Sequence, residues 1–412
     1  MQEVLIKSKV FIKKEAQYGA HNYQPLPIVF EKGEGVFVWD PEGNKYYDFL
    51  SAYSAVNQGH CHPKIINALI HQAQKLTLSS RAFFNSKLGD YEEFITSLFG
   101  FDKVLPMNTG AEAVETAIKI CRKWAYEKKR VPYNCAEIVV CKGNFHGRTT
   151  TITSFSTDGN ARNNFGPYTP GFITIPYNNL EALENVLKNN TNISGFLVEP
   201  IQGEAGVFVP SEGYLSGAKK ICQKYNVLFI ADEIQTGIAR TGKMLAIDHE
   251  NVRADILILG KAISGGVYPV SAVLASNEIM KVIQPGQHGS TFGGNPLACA
   301  VAKAALKVII DENLQSNALV LGKVFRKKMQ KTVETLDIVT EVRGKGLLNA
   351  IVINTDEMST LAWDICLKLK ENGLLAKPTH GNKIRFAPPL VITKTQLDEC
   401  IEIIETTLMS FS

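Results

Sequence analysis

The stretch Ala254-Asp255-Ile256-Leu257-Ile258-Leu259-Gly260 is an apolar run that ends in Lys261 and the small-residue turn Ala262-Ile263-Ser264-Gly265-Gly266. Its length, its Ile and Leu content and the glycines that close it predict a strand buried on both faces, which delivers its last side chain into a cleft. A lysine there is open to two readings. Its stem could run out to solvent with the ammonium hydrated. Held in the cleft, it is disfavoured as a cation, loses its proton and becomes a nucleophilic amine able to condense with a carbonyl.

A second run, Tyr225-Asn226-Val227-Leu228-Phe229-Ile230-Ala231, ends in Asp232-Glu233-Ile234-Gln235-Thr236-Gly237. In open α/β sheets ligands sit beyond the carboxyl ends of the strands, so Asp232 and Lys261 should face one crevice. Alone, Asp232 reads as a helix cap. Paired with an amine, a carboxylate has a chemical use: pyridoxal phosphate needs an acidic partner that keeps its ring nitrogen protonated.

The 412 residues exceed one typical core, so two domains, or one large domain with an appendage, are expected. An apolar fraction of 45% and a charged fraction of 20% suit a soluble globular protein. No apolar stretch approaches the ~18 residues of a membrane span. The 44 basic and 40 acidic residues are mixed along the chain, which argues against a nucleic-acid surface. Arg326-Lys327-Lys328 reads as a solvated helix face. Eight cysteines without a C-x-x-C pair read as reduced residues of an intracellular enzyme, with Cys135 and Cys141 close enough in sequence to test for redox activity. Met1 to Glu15 shows no secretory signal, so a cytoplasmic location is expected.

Runs 36–40 and 44–49, joined by Asp40-Pro41-Glu42-Gly43, predict a small hairpin within an amino-terminal segment, 1–53. From 54 to 300, helical stretches alternate with short apolar runs at 103–107, 137–141, 171–175, 193–198, 227–231, 256–259 and 271–275. That alternation predicts a large α/β domain with a mostly parallel sheet sandwiched by helices. A helix over 297–310, with Pro296 at its start, bridges to a smaller α+β domain, 301–412. There, strands are expected near 338–342, 346–353 and 383–387, and a helix over 361–371.

Asn108-Thr109-Gly110-Ala111-Glu112-Ala113 opens a helix, whose first-turn N–H groups suit a phosphate but also an ordinary cap. Gly289-Ser290-Thr291-Phe292-Gly293-Gly294-Asn295 is a second such element, or a plain loop. In Asn144-Phe145-His146-Gly147-Arg148-Thr149, the aromatic could stack on a flat ring and the arginine could grip a carboxylate. Singly, Phe145 reads as core and Arg148 as surface.

Together these residues resemble the fold-type I, class III pyridoxal-phosphate aminotransferases along nearly the whole chain. Residues 228–237 and 259–266 carry the class signature, and 18–23, 49–60, 198–206 and 385–389 are similar to its ornithine-accepting branch. The resemblance implies that Lys261 carries the cofactor, Asp232 holds the pyridine nitrogen, Gln235 bonds the phenolic oxygen and Phe145 stacks, with His146 close to the ring or satisfied in its turn. Gly110 and Ala111 would bind the phosphate, and Ser290 and Thr291 would reach the phosphate in the neighbouring subunit of a homodimer. Tyr23 and Arg148 would hold the α-carboxylate of ornithine, and Tyr53 its α-amino group. Glu204 would pair with Arg385, then release it to bind 2-oxoglutarate.

The rival activities are acetylornithine or 4-aminobutyrate aminotransfer and, further off, an aminomutase or racemase; a cofactor-binding regulator would need a DNA-binding module for which the chain has no spare segment. His60-Cys61-His62 has metal-ligand types, but alternation points its side chains apart. Gly344-Lys345-Gly346 is too short for a nucleotide loop.

Overall fold

A computed structural model of the chain describes residues 6–412. Within the amino-terminal reading, Met1 to Leu5 lie outside the described residues. The strands, in chain order, are β1 (Lys32–Glu34), β2 (Phe37–Trp39), β3 (Lys45–Asp48), β4 (Lys103–Met107), β5 (Glu137–Cys141), β6 (Phe172–Ile175), β7 (Ile193–Val198) and β8 (Leu228–Asp232). They continue as β9 (Ile256–Leu259), β10 (Ser271–Ala275), β11 (Val339–Lys345), β12 (Leu348–Ile353), β13 (Leu374–Leu375), β14 (Lys377–Thr379) and β15 (Lys383–Phe386).

Seven strands form the central sheet, in the order β4-β10-β9-β8-β7-β5-β6. β5 to β9 run parallel, and β10 lies antiparallel between β9 and β4. β4 therefore points the same way as the parallel set, and six strands end on one edge. Period-two alternation divides their side chains between two cores. Leu257, Leu259, Phe229 and Ala231 face one core; Ile256, Ile258, Ile230 and Leu197 face the other. Each fully buried Leu or Ile contributes about 1.5–3 kcal/mol, and burial on both faces is why these strands read as unbroken apolar runs.

The helix Gly110–Trp124 covers one face through Val114, Ala117, Ile118 and Cys121. On the other, Pro296–Asp311 packs Ala298, Val301 and Ala305, with Pro296 in its first turn and Asn295 Oδ1 accepting from Ala298 N–H at 2.8 Å. No helix among the described residues is long and apolar enough to cross a membrane.

The expected hairpin is present as β2 and β3, but it belongs to a four-stranded sheet, β1-β2-β3-β13, whose last strand comes from near residue 374. Two leucines are too short a pattern to read as a strand, and β13 exists because β3 offers it an edge. The carboxyl-terminal sheet, β11-β12-β15-β14, is antiparallel and is backed by Leu314–Thr335, Leu361–Glu371 and Lys394–Met409.

Arg240 is fully buried and joins these parts. Its guanidinium donates to Asn57 Oδ1, to Leu347 O at 3.0 Å and to Pro388 O at 2.7 Å. R240M would leave three buried acceptors unmatched, at about 1–3 kcal/mol each. The denaturation midpoint of R240M should fall by the equivalent of about 4 kcal/mol, with R240K losing less; a loss within about 1 kcal/mol would show that water replaces the guanidinium.

Candidate active site

The shared carboxyl edge of the parallel strands gathers the chemistry. β8 ends at Asp232, β9 leads to Lys261, β4 leads to the Gly110 turn, β5 to Phe145 and His146, and β7 to Glu199. Lys261 has φ +46°, a left-handed conformation in a non-glycine residue that turns it out of the strand line into a short 3-10 turn. A cavity of about 260 Å³ opens beside it, walled by Ala55, Asn108, Gly110, Ser264 and Gly266 among others.

Burial lowers the pKa of Lys261, against the opposing pull of Asp232. Asp232 is itself paired: Oδ2 lies 2.6 Å from His146 Nδ1, and Oδ1 accepts from Ile234 N–H at 3.1 Å. Burial alone would lower the His146 pKa, but the hydrogen bond and charge of Asp232 overturn it and raise it. Glu199 accepts from Phe145 N–H at 2.8 Å, and burial pushes its carboxyl up to about 7.

Pyridoxal phosphate can be tested against these residues. Thr109 caps Glu112 N–H while the Glu112 side chain accepts from Asn108 and Thr109, so the first-turn N–H groups of Gly110 and Ala111 are left for an incoming acceptor. Gln235 Oε1 and His146 Nε2 are buried without a hydrogen-bond partner among the described residues. A Cβ on Gly203 would stand 1.5 Å from Gln235 Oε1, so only glycine lets that strap approach. An amine with lowered pKa, a buried carboxylate and a free helix terminus fit a phosphorylated aldehyde with a basic ring nitrogen.

The substrate side is built on strain. Ser51, Ala52, Tyr53 and Ser54 are all left-handed, with φ of 48°, 45°, 60° and 70°. Each such residue costs about 1–2 kcal/mol. Asp48 holds the turn: Oδ1 accepts from Leu50 and Ser51 N–H, both at 2.9 Å, and Oδ2 lies 2.8 Å from His60 Nε2. The turn sets Tyr53 under the Arg385 guanidinium, 4.9 Å from ring centroid to Cζ. Burial, with the Glu204 charge, raises the Tyr53 phenol pKa.

Arg385 Nη1 donates to Glu204 Oε2 at 3.0 Å and to Gly203 O at 3.2 Å. Burial opposes ionisation of Glu204, but the charge and hydrogen bond of Arg385 prevail and hold its pKa below the ordinary value. Arg148 lies 5.8 Å from the Phe145 ring and 6.0 Å from that of Tyr23, which is itself exposed.

Ser290 Oγ accepts from Asn108 Nδ2 at 2.8 Å within its own chain, and Thr291 is exposed, outside the cavity wall. His146 pairs with Asp232, which the residue pattern had left open between ring and turn. Cys141 is buried with Sγ 3.7 Å from Tyr214 Oη while Cys135 is exposed, so the two are not joined. His60 and His62 go to different carboxylates, Asp48 and Glu312. Sequence reading missed Asp48, Glu199 and Asn57. Glu199 could have been found as an acid at the end of an apolar run, the signal that drew attention to Asp232; Asp48 and Asn57 carried none.

The family model for aminotransferase class-III matches residues 18–408. The mitochondrial ornithine aminotransferase of Drosophila melanogaster is 59% identical over 98% of this chain and 92% of its own length. The ornithine aminotransferase of Plasmodium falciparum is 56% identical, covering 99% and 98%. Among solved structures, an acetylornithine aminotransferase from Elizabethkingia anophelis is 63% identical with a TM-score of 0.91, covering 98% of this chain and 99% of that one. The ornithine aminotransferase of Toxoplasma gondii is 49% identical with a TM-score of 0.96, covering 98% and 96%.

Glu233, beside Asp232, caps the loop through Thr236 and Ile247, and burial pushes its carboxyl up to about 7. A carboxyl raised by folding contributes stability below its unfolded pKa and loses it as pH rises through the folded value. Thermal stability of the cofactor-free protein should therefore fall between about pH 5 and pH 8, and E233Q should flatten part of that fall. Parallel curves for the two proteins would refute this placement of the proton.

Proposed function

The chain belongs to the class-III aminotransferase family, and we propose that it transfers the δ-amino group of L-ornithine to 2-oxoglutarate on a pyridoxal 5'-phosphate cofactor. The products are glutamate 5-semialdehyde, which cyclises to pyrroline-5-carboxylate, and glutamate. The observation that carries the substrate reading is the Glu204–Arg385 pair under Tyr53: a guanidinium that a carboxylate can mask or expose lets one pocket take a diamino acid and a dicarboxylate in turn.

When bound, the cofactor supplies an electron sink for the bond broken at the carbon bearing the amine. Lys261 is the residue that carries it, and Gly110 and Ala111 receive the phosphate through their backbone N–H groups. Asp232, its carboxylate fixed by His146, would keep the ring nitrogen protonated, Gln235 would bond the phenolic oxygen and Phe145 would stack on the ring. Its proton affinity lowered by burial, Lys261 Nζ would take the proton from the δ-carbon of ornithine and would not put it back on that carbon, so that the amino group can leave the substrate. Tyr23 and Arg148 orient the α-carboxylate and Tyr53 the α-amino group, while Glu204 masks Arg385. In the second half-reaction Glu204 moves aside and Arg385 takes the α-carboxylate of 2-oxoglutarate.

A homodimer is the working unit. Its support is the exposed set Phe83, Phe84 and Phe292, on two segments that come together where Gly294 approaches Leu88 at the start of the helix Leu88–Phe99. Across that interface Ser290 and Thr291 reach the neighbouring subunit's phosphate. We read 54–300 as the cofactor domain, 301–412 as the smaller domain and 1–53 as the amino-terminal segment. The cytoplasmic reading rests on eight free cysteines, six of them buried. Acetylornithine is the second reading, favoured by the name of the Elizabethkingia relative.

A donor screen with ornithine, N-acetylornithine, 4-aminobutyrate and lysine against 2-oxoglutarate should give the highest kcat/KM for ornithine; preference for N-acetylornithine would transfer the assignment to the second reading. K261A should lose turnover and the lysine-linked cofactor absorbance while staying folded, and retained turnover would remove Lys261 from the mechanism. Y53F should erode the preference for ornithine over 4-aminobutyrate by about 1–3 kcal/mol, read from the ratio of kcat/KM values.

A further inference from the structure

We propose that Lys377 is the second cation of the Glu204–Arg385 switch, the residue that takes the Glu204 carboxylate when Arg385 turns to a dicarboxylate. This rests on the reading in which Glu204 leaves Arg385 between half-reactions. In the β14–β15 ladder Lys377 stands opposite Arg385, and Thr379 opposite Lys383. Side chains directly opposite in an antiparallel pair share a face, with Cβ atoms about 4.5–5.5 Å apart.

That face looks at the 203–206 strap. Thr379 Oγ1 donates to Glu204 O at 2.7 Å, and Arg385 Nη1 to Gly203 O at 3.2 Å. A Cβ on Gly206 would lie 2.4 Å from Lys383 Cδ. Lys377 therefore presents its ammonium to the strap that carries Glu204.

The charges around it are distributed unevenly. Lys383 is engaged by Glu357 at 2.6 Å, whereas Lys377 has no carboxylate within 4 Å among the described residues and is half-buried. Burial lowers the Lys377 pKa and Glu204 opposes that, while Arg385 adds to it. Two cations side by side on one face repel unless they share an anion, and the Glu204 charge acts on both, in direct contact with Arg385 and from beyond 4 Å on Lys377. A carboxylate leaving a buried guanidinium for no partner would meet a large desolvation cost. With Lys377 beside it, the move becomes an exchange of one cation for another. The competing destinations are Lys261 and His380, whose charges also act on Glu204, and water, since the Glu204 side chain is 30% exposed.

The test uses the holoenzyme with K377M, K377R, E204Q and the double variant K377M/E204Q, reading KM for ornithine and 2-oxoglutarate separately and calorimetric binding of glutarate, an unreactive dicarboxylate. K377M should weaken glutarate and raise KM for 2-oxoglutarate by about tenfold, the scale of one lost charged contact, with K377R restoring both. KM for ornithine should shift far less, because Glu204 stays on Arg385 in that half-reaction. E204Q should tighten glutarate, and in its background K377M should have no further effect. Unchanged glutarate binding in K377M, or equal rises in both KM values, would overturn the role of Lys377. So would a K377M effect that survives in the double variant, since it would mean direct contact with the dicarboxylate. If E204Q itself leaves glutarate binding unchanged, the switch fails, and the role of Lys377 with it.

Discussion

The Arg240 guanidinium is enclosed by oxygens of neutral groups, with no carboxylate among the described residues bonded to it, and burial lowers its pKa to about 9. Two of its three partners, and Arg240 itself, lie a few residues from a functional side chain. Asn57 follows the Tyr53 turn, Pro388 follows Arg385, and Arg240 itself follows Gln235. Asn57 also donates from Nδ2 to Ile238 O at 2.7 Å, so the two loops are clasped from both sides. Cofactor-facing and substrate-facing segments, which come from distant parts of the chain, are thereby held at a common distance. A planar donor with five N–H groups can do this; a lysine could not bond so many oxygens along fixed directions.

The electrostatics of the cavity follow from that enclosure. Each ionisable group there is set by burial and by its neighbours: burial takes proton affinity from Lys261 and gives it to Glu199, and Arg385 holds the Glu204 pKa below its ordinary value. Such opposed shifts among adjacent groups allow an amine and a carboxylate to serve as base and as anion at one pH. Asp232 shares its charge with His146 while still acting on Lys261.

Much of this was legible in the residues because two-sided burial leaves a plain mark. The runs at 103–107, 137–141, 193–198, 256–259 and 271–275 coincide with β4, β5, β7, β9 and β10, since most of their residues are apolar and buried. Knowing where those runs end also locates Asp232, Lys261 and Phe145. What stayed hidden depends on partners far away in sequence. β13 and β14 are too short to show a period, and the antiparallel direction of β10 leaves no trace in its composition. The left-handed turn at 51–54 contains no glycine, so nothing in Ser-Ala-Tyr-Ser announces it. Nothing in the sequence marks Lys377, because only the ladder register sets it beside Arg385.

That turn gives the protein an internal conflict. Glycine at 52 would adopt the same backbone without the Cβ penalty, so a search for greater stability would be drawn to Ala52. The residues in the turn keep their side chains against that gradient, and a freer backbone would let the Tyr53 ring wander from Arg385. Substrate discrimination is thus encoded in a segment that folding by itself disfavours. Among descendants of such a sequence, broadened substrate range and greater heat resistance would arise together from one change in the main chain.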